Sequence, residues 1–429
     1  MSSPIPKELK ILISAYACSP NYGSEQGMGW NWVNQIAKHC QTWVLTDEYY
    51  AKDCRAFLDQ TGYENPKLHI IGIPRPGGRS RIYGYFWLHY LTQNLWQRQA
   101  FKLAQKLHDQ EQFDLIHQLN MIGYREPGYL WQLAADKPFI WGPIGGHAQI
   151  PKSFLADFHL QDRLVYSLRN VLNTWQMNNS KRVRAAMQRA DVLFGATRPD
   201  VEAIARIHGR RAILLRETGT NLTAEQNGSA HLKKPDPSRP LQLVWSGVFL
   251  GRKALPLGLH ALAQARLKEP GLQINLTILG GGIHQAAWQA QAADLGLADC
   301  CTWTGWLPHD QAKARICAAD ALLFTSLLEA TSTVVPEALM QGVPVICHDA
   351  CGFGDIVTEE CGIKVPMVDP ATSIRGFTEA ILLLAKDRNH LAALSEGARA
   401  RARTLTWSKH VHTLLNEYAR LCPNIQASW

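Results

Sequence analysis

Short apolar runs alternate with amphipathic stretches along the chain, stop near residue 220, and begin again near residue 241. The first series has strand-like runs at Leu9–Ser14, Trp43–Thr46, His69–Ile73, Phe113–His117, Phe139–Trp141, Val192–Ala196 and Ala212–Leu215. The second has them at Leu241–Trp245, Ile274–Leu279, Ala321–Phe324 and Val343–Cys347. Helical stretches lie between them, among them Gly27–Lys38 and the aromatic-rich Ile82–His108, and Pro370–Lys386, His390–Arg403 and Ser408–Leu421 follow the last strand. Strands alternating with helices build βαβ units and parallel sheets. Between the two series, Gly219–Pro240 is polar, carries Gly and Pro, and lacks periodicity, so it reads as a linker. The expected organisation is a first domain at 1–220, a linker at 221–240 and a second domain at 241–407. A last helix at about 408–429 is expected to return to the first domain.

Length agrees with this division, since 429 residues exceed one ordinary core. Hydrophobic residues make up 46% and charged residues 19%, the balance of a globular protein and not of a disordered one. The net charge of +8 is spread along the chain and forms no basic block, so no nucleic-acid partner is expected. Ten cysteines show no CxxC pair, which points to reduced thiols in a cytoplasmic setting. MSSPIPKELK leads directly into a strand and reads as no export signal, and no apolar run has the length to cross a bilayer.

The densest chemistry lies in FTSLLEATSTVVPEALMQGVPVI, residues 324–346. A strand ends at Thr325-Ser326, Glu329 follows in a loop of small residues, and Glu337 sits in the first turns of a helix closed by Gly342. Ser332 or Thr333 is the expected N-cap, and Pro336 falls near the first turn, where a missing N–H is tolerated. Free amides and the positive end of the helix dipole suit an anion such as a diphosphate. Glu337 is placed for ribose hydroxyls and Glu329 for those of a sugar, the outline of a nucleotide-sugar site. The second constellation is Trp245–Lys253, after the first strand of the second series, where adjacent Arg252 and Lys253 can neutralise a diphosphate. A solvated basic loop is its plain alternative. The third is Ala17–Trp30, with Gly23, Gly27 and Gly29 between a strand and a helix. Its spacing, and Thr46-Asp47-Glu48 after the second strand, do not give the dinucleotide-binding fingerprint.

With these residues, the chain resembles family 4 of the glycosyltransferases, retaining enzymes of the GT-B fold. Glu329 and Glu337 match the ends of that family's E-x7-E motif, and Gly342–Ile346 matches the GxPVI strand after it. Lys253 aligns with the family's lysine and Gly23 with its glycine loop. The resemblance implies an α/β chain of two Rossmann-like domains whose parallel sheets face a central cleft. It implies a donor nucleoside-diphosphate hexose held mainly by the second half: Glu337 on the ribose, Glu329 on the sugar, and Arg252, Lys253 and the amides of Thr331, Ser332, Thr333 and Val334 on the diphosphate. Gly280, Trp306 and Leu307 resemble positions around the base, and Gly247 a further donor-side position. His117, Asn120, Tyr124, Gly145 and His147 resemble groups on the acceptor side, although a strand-end histidine and a Gly-Pro turn have purely structural readings as well. Neither a metal nor a further cofactor is expected. The acceptor implied is a saccharide or a lipid-linked hydroxyl compound in bacterial polysaccharide or glycolipid assembly.

Two departures stand out. Val248 occupies the place of an arginine usual after the glycine aligned with Gly247, and Glu329-Ala330-Thr331-Ser332 replaces EG(F/Y)G, implying a differently shaped sugar pocket. The aromatic segment 82–91, with Arg79 and Arg81 before it, has two open readings: a peripheral membrane contact, or a helix packed on its own domain. Rival functions are another enzyme of the same fold, such as a sugar-nucleotide epimerase or a phosphorylase, and an inactive binding protein.

Overall fold

A computed structural model describes residues 8–77, 86–133, 135–221 and 239–423, except for the side chains of Ser24 and residues 86–90. In the aromatic segment 82–91, residues 82–85 and the side chains of residues 86–90 therefore lie outside the described part, as do the linker residues 222–238. The chain forms two compact units. One takes the described residues up to His147, Trp175–Thr218 and those from Trp407 onward, and the other takes Ala148–Thr174 and Gly219–Thr406.

The first unit holds a seven-stranded sheet in the order β3-β2-β1-β4-β5-β6-β7. Its strands are β1 (Lys10–Ala15), β2 (Gln41–Asp47), β3 (Leu68–Ile73), β4 (Leu115–Asn120), β5 (Phe139–Ile144), β6 (Val192–Gly195) and β7 (Ile213–Leu214). All its pairs are parallel. Side chains of a strand alternate between faces, and both faces here are covered: Ile11 and Ile13 of β1 enter one buried cluster, Leu12 the other. The helix Trp407–Leu421 buries Trp407, Val411, Leu414, Leu415 and Tyr418 at helical spacing. These join Trp32, Val33 and Ile36 of the helix Ser24–Ile36 in one cluster, with the Trp32 and Trp407 rings edge-on at 5.4 Å.

The second unit holds six strands in the order β10-β9-β8-β11-β12-β13. They are β8 (Leu241–Ser246), β9 (Ile274–Leu279), β10 (Cys301–Gly305), β11 (Ala321–Phe324), β12 (Val345–His348) and β13 (Gly362–Val365), again all parallel. Leu241, Leu243 and Trp245 of β8 pack on one side and Val244 on the other. Strand β13 has no counterpart in the sequence reading. It is a four-residue edge strand whose central residues are only half-buried, so it lacks a continuous apolar run. β12 begins two residues later than expected: Gly342, at φ +70°, turns the chain out of the preceding helix, and Val343 still bonds back to Ala338.

Trp407→Ala empties a fully apolar contact with Trp32. It is expected to cost about 3–5 kcal/mol, read as a drop in the denaturant midpoint with the slope unchanged.

Candidate active site

In the second sheet, strand order reverses between β8 and β11, which lie side by side with Leu243 against Ala321 and Val244 against Leu322. Loops leaving the carboxyl ends of two such strands diverge to opposite sides and open a crevice, the usual ligand position in a parallel sheet. Here the two loops are tied together. The Leu327 amide donates to the Arg252 carbonyl at 2.8 Å, and the Thr325 hydroxyl donates to the Lys253 carbonyl at 2.8 Å while accepting from the Trp245 indole at 3.0 Å. Gly251–Lys253 makes one tight turn, ended by Ala254 in the left-handed region, and the helix Leu255–Lys268 follows with Pro256 in its first turn. Gly280, at φ +114°, is irreplaceable on steric grounds, because a Cβ there would lie 2.1 Å from the Gly247 carbonyl oxygen.

The cations and the first carboxylate converge across this tie. The Lys253 ammonium lies 2.5 Å from Glu329 Oε1 and 5.5 Å from the centre of the Phe324 ring. Arg252 donates to the same carboxylate oxygen and, at 3.0 Å, to the Leu328 carbonyl. Burial pushes the Lys253 ammonium below its ordinary value, Glu329 opposes this and Arg252 adds to it. The expected division, with both cations free for a diphosphate and Glu329 free for a sugar, is thus replaced by one three-membered cluster. Two cations on one carboxylate leave a net positive charge, which a more highly charged anion can claim.

Glu337 stands in the helix Val334–Met340. Burial raises its carboxyl above the ordinary value of 4.5, opposed by the positive charge of His309 and then Lys313. Those two residues, four apart on the helix His309–Ala318, were missed in the sequence reading; their i, i+4 spacing was the available signal. Of the two expected caps, Thr333 is the N-cap residue, with a helical backbone and no capping bond from its side chain. Ser332 is at φ +63°, the left-handed region, at the very position where the family pattern has a glycine. Thr331 beside it is buried. Of the remaining donor-side candidates, Trp306 is largely exposed, its indole nitrogen close to Gly281, and Leu307 is half-buried. Gly23 lies in the first unit at the start of the helix Ser24–Ile36, where an added Cβ would meet nothing.

The acceptor-side candidates, all in the first unit, separate into two sets. His117 is fully buried, its Nδ1 2.6 Å from the Tyr418 hydroxyl and its Nε2 2.7 Å from the Gly142 carbonyl. Burial brings its pKa down to about 4, so the ring is neutral, donates from Nε2 to the carbonyl and accepts the Tyr418 hydroxyl at Nδ1. Asn120 is likewise buried and pairs with both backbone groups of Ala17. The expectation that these two side chains face a ligand is therefore corrected: their polar atoms serve the fold. Tyr124, Gly145 and His147 do come together. The Tyr124 and His147 rings stack at 4.6 Å, and Gly145 pairs with Gly123. Asp200, which the sequence reading passed over, accepts from the His147 amide at 3.1 Å and lies 2.9 Å from its Nδ1, and is itself bonded to Thr197. Glu25 was also missed; its carboxylate accepts from the Ile122 amide at 2.8 Å. Among the described residues, no group of three or more His, Cys, Asp or Glu side chains is placed to hold a metal ion.

Glu337→Gln removes a carboxyl that the fold prefers protonated. At acid pH the wild-type side chain is neutral in both folded and unfolded states, and the variant gains nothing. As pH rises past 4.5, the unfolded carboxyl ionises more readily than the folded one, and wild-type stability falls relative to the variant. The melting-temperature gap between variant and wild type is expected to widen in the variant's favour from pH 4 to pH 7.

Residues 230–401 match the family model described as glycosyl transferases group 1. The 2-deoxystreptamine glucosyltransferase of Streptomyces kanamyceticus is 27% identical over 301 residues, 68% of this chain and 73% of that one. The fold is that of the lipopolysaccharide outer core galactosyltransferase WaaB, at 15% identity, TM-score 0.64, and coverage of 96% of this chain and 99% of that one. It is also that of Anabaena HepE, solved with UDP and glucose, at 14% identity, TM-score 0.57, and coverage of 96% and 100%. The chain thus has the two-domain GT-B fold, and over residues 230–401, about two fifths of its length, its sequence matches the group 1 glycosyl transferases.

Proposed function

We propose that the chain is a retaining family 4 glycosyltransferase that moves a hexose from a nucleoside-diphosphate sugar to a hydroxyl acceptor in bacterial polysaccharide or glycolipid assembly. The observation that carries this reading is the cluster of Arg252, Lys253 and Glu329 at the β8/β11 crevice, with Glu337 on the next helix. A diphosphate entering the crevice exchanges with Glu329 for the two cations, and Glu329, once displaced, is available to the sugar hydroxyls. Arg252 and Lys253 then stabilise charge that grows on the departing diphosphate, and fixed cations in a partly dry site do this without reorganising. Glu337 takes the ribose hydroxyls. The acceptor hydroxyl attacks from the face the leaving group departs from and passes its proton to the departing phosphate, which keeps the anomeric configuration. Tyr124, Gly145 and His147 are the acceptor-side residues we assign, in a chain working at the cytoplasmic side without a metal ion. The names of the matched proteins, a glucosyltransferase, a galactosyltransferase of lipopolysaccharide and a protein solved with UDP and glucose, support the donor and acceptor classes.

Thermal shift with UDP, GDP, ADP and their sugars tests the donor class, because a ligand at a hundredfold over its Kd adds about 2.7 kcal/mol. One nucleotide is expected to give a saturable shift that Glu337→Ala weakens. No shift from any of them, together with an inert Glu337→Ala, would end the enzyme reading.

The cluster itself makes opposed predictions for its members. Lys253→Ala is expected to lower the transfer rate by about 10²–10³-fold, as for loss of one preorganised charge-stabilising donor. Glu329→Gln frees the cations, so the bare nucleoside diphosphate binds more tightly while sugar transfer falls. Weaker nucleotide binding by Glu329→Gln would show that Glu329 is not the anion it exchanges with.

A further inference from the structure

The helix Leu160–Asn179 is built inside out. Leu160, Leu164, Val165, Leu168, Val171 and Trp175 are all between 57% and 66% exposed. At 100° per residue they fill a single arc of about 140°. The opposite face is mixed and fastened down, with Tyr166 and Met177 packed on apolar clusters and polar side chains between them. Asp162 lies 2.6 Å from His284 Nε2, Asn170 donates to the Ile150 carbonyl at 2.9 Å, and Asn173 is buried. A helix of a globular protein ordinarily does the reverse, so this apolar stripe is built for something other than the core.

We propose that this stripe docks on an anionic lipid surface. The inference stands apart from the transferase reading and concerns a different part of the chain from segment 82–91. Three observations select a bilayer. Arg163 and Arg169 fall on the two edges of the apolar arc, the places from which long basic side chains reach headgroups while their stems lie on the acyl boundary. Trp175 closes the stripe at one end, as indole does at a membrane interface. Within Ala148–Thr174 the exposed Lys and Arg residues are Lys152 and Arg163, against Asp157 as the one exposed acid. A second copy of the chain is the weaker occupant. Two such stripes face to face would bring arginine edges together, and Asp162, the helix's only acid, is already held by His284. The stripe from Leu160 to Trp175 is about 22 Å long. Among the described residues no helix is long and apolar enough to cross a membrane, so this one lies on the surface.

Co-sedimentation of the full-length chain with vesicles tests this, comparing equal parts phosphatidylglycerol and phosphatidylcholine with phosphatidylcholine alone. The wild type is expected to pellet with the anionic vesicles. The combined variant Leu164→Ser, Leu168→Ser, Val171→Ser, Trp175→Ser is expected to bind at least tenfold more weakly, with its melting temperature largely retained because those side chains are mostly exposed. Arg163→Gln alone is expected to weaken binding about fivefold, the share of one base near an anionic surface. The proposal falls if the wild type stays in the supernatant, or if the combined variant binds as well as wild type. It falls equally if sedimentation velocity shows a wild-type dimer that the combined variant abolishes, which would assign the stripe to self-association.

Discussion

Both sheets are entirely parallel and covered on both faces, and that constraint decides where this protein can do chemistry. A strand such as β8 sends Leu241, Leu243 and Trp245 into one core and Val244 into the other, so its large side chains are taken up by packing. Function is pushed to the strand ends. It is pushed further to the point where strand order reverses, because only there do adjacent loops leave the sheet in opposite directions. Arg252 and Lys253 follow β8, and Glu329 follows β11, so the topology brings opposite charges together from residues 76 or more apart in the chain. The cluster is a consequence of strand order before it is a feature of any motif.

Its electrostatics follow from the same burial. Lys253 lies against the Phe324 ring and is shielded from water, a position where an ammonium needs a partner. Glu329 is that partner when no ligand is bound, and Arg252 makes the arrangement over-positive by one charge. A cluster with one surplus cation is held together by its own carboxylate and keeps positive charge to offer an anion. Glu337 differs in kind. Among the described residues no ion pair holds it, and its raised carboxyl reflects burial that the charges of His309 and Lys313 oppose. A buried carboxyl of this kind suits exchange of hydrogen bonds with hydroxyls better than it suits anion binding.

What could be read from the sequence divides along the range of the interactions. The strands with continuous apolar runs were legible, as was the placement of Glu329 in a loop and Glu337 on a helix, because those depend on neighbours a few residues away. β13 was not, since Gly-Ile-Lys-Val at a sheet edge carries only two large apolar residues. His117 shows the limit most clearly. Its position at a strand end is local and was correctly placed, but its function in the fold depends on a hydroxyl 301 residues away on the last helix. Ser332 fails in another way. Its backbone lies in the left-handed region that ordinarily favours glycine, under a side chain that does not announce it.

The inside-out helix extends this argument about periodicity. Its apolar residues recur at helical spacing, and a sequence reading would assign that face to the core. The hydrogen bonds of Asp162 and Asn170 and the burial of Asn173 reverse the assignment, because they anchor the polar face and leave the apolar one outward. Burying six large side chains against the fold would have been the easier solution if packing alone had shaped the segment, and the inner face shows that the sequence forgoes it. Hydrophobic spacing thus fixes which residues share a face, while the partners available to the opposite face decide which medium that face meets. On this helix the polar partners are inside the protein, so the apolar medium has to be supplied from outside it.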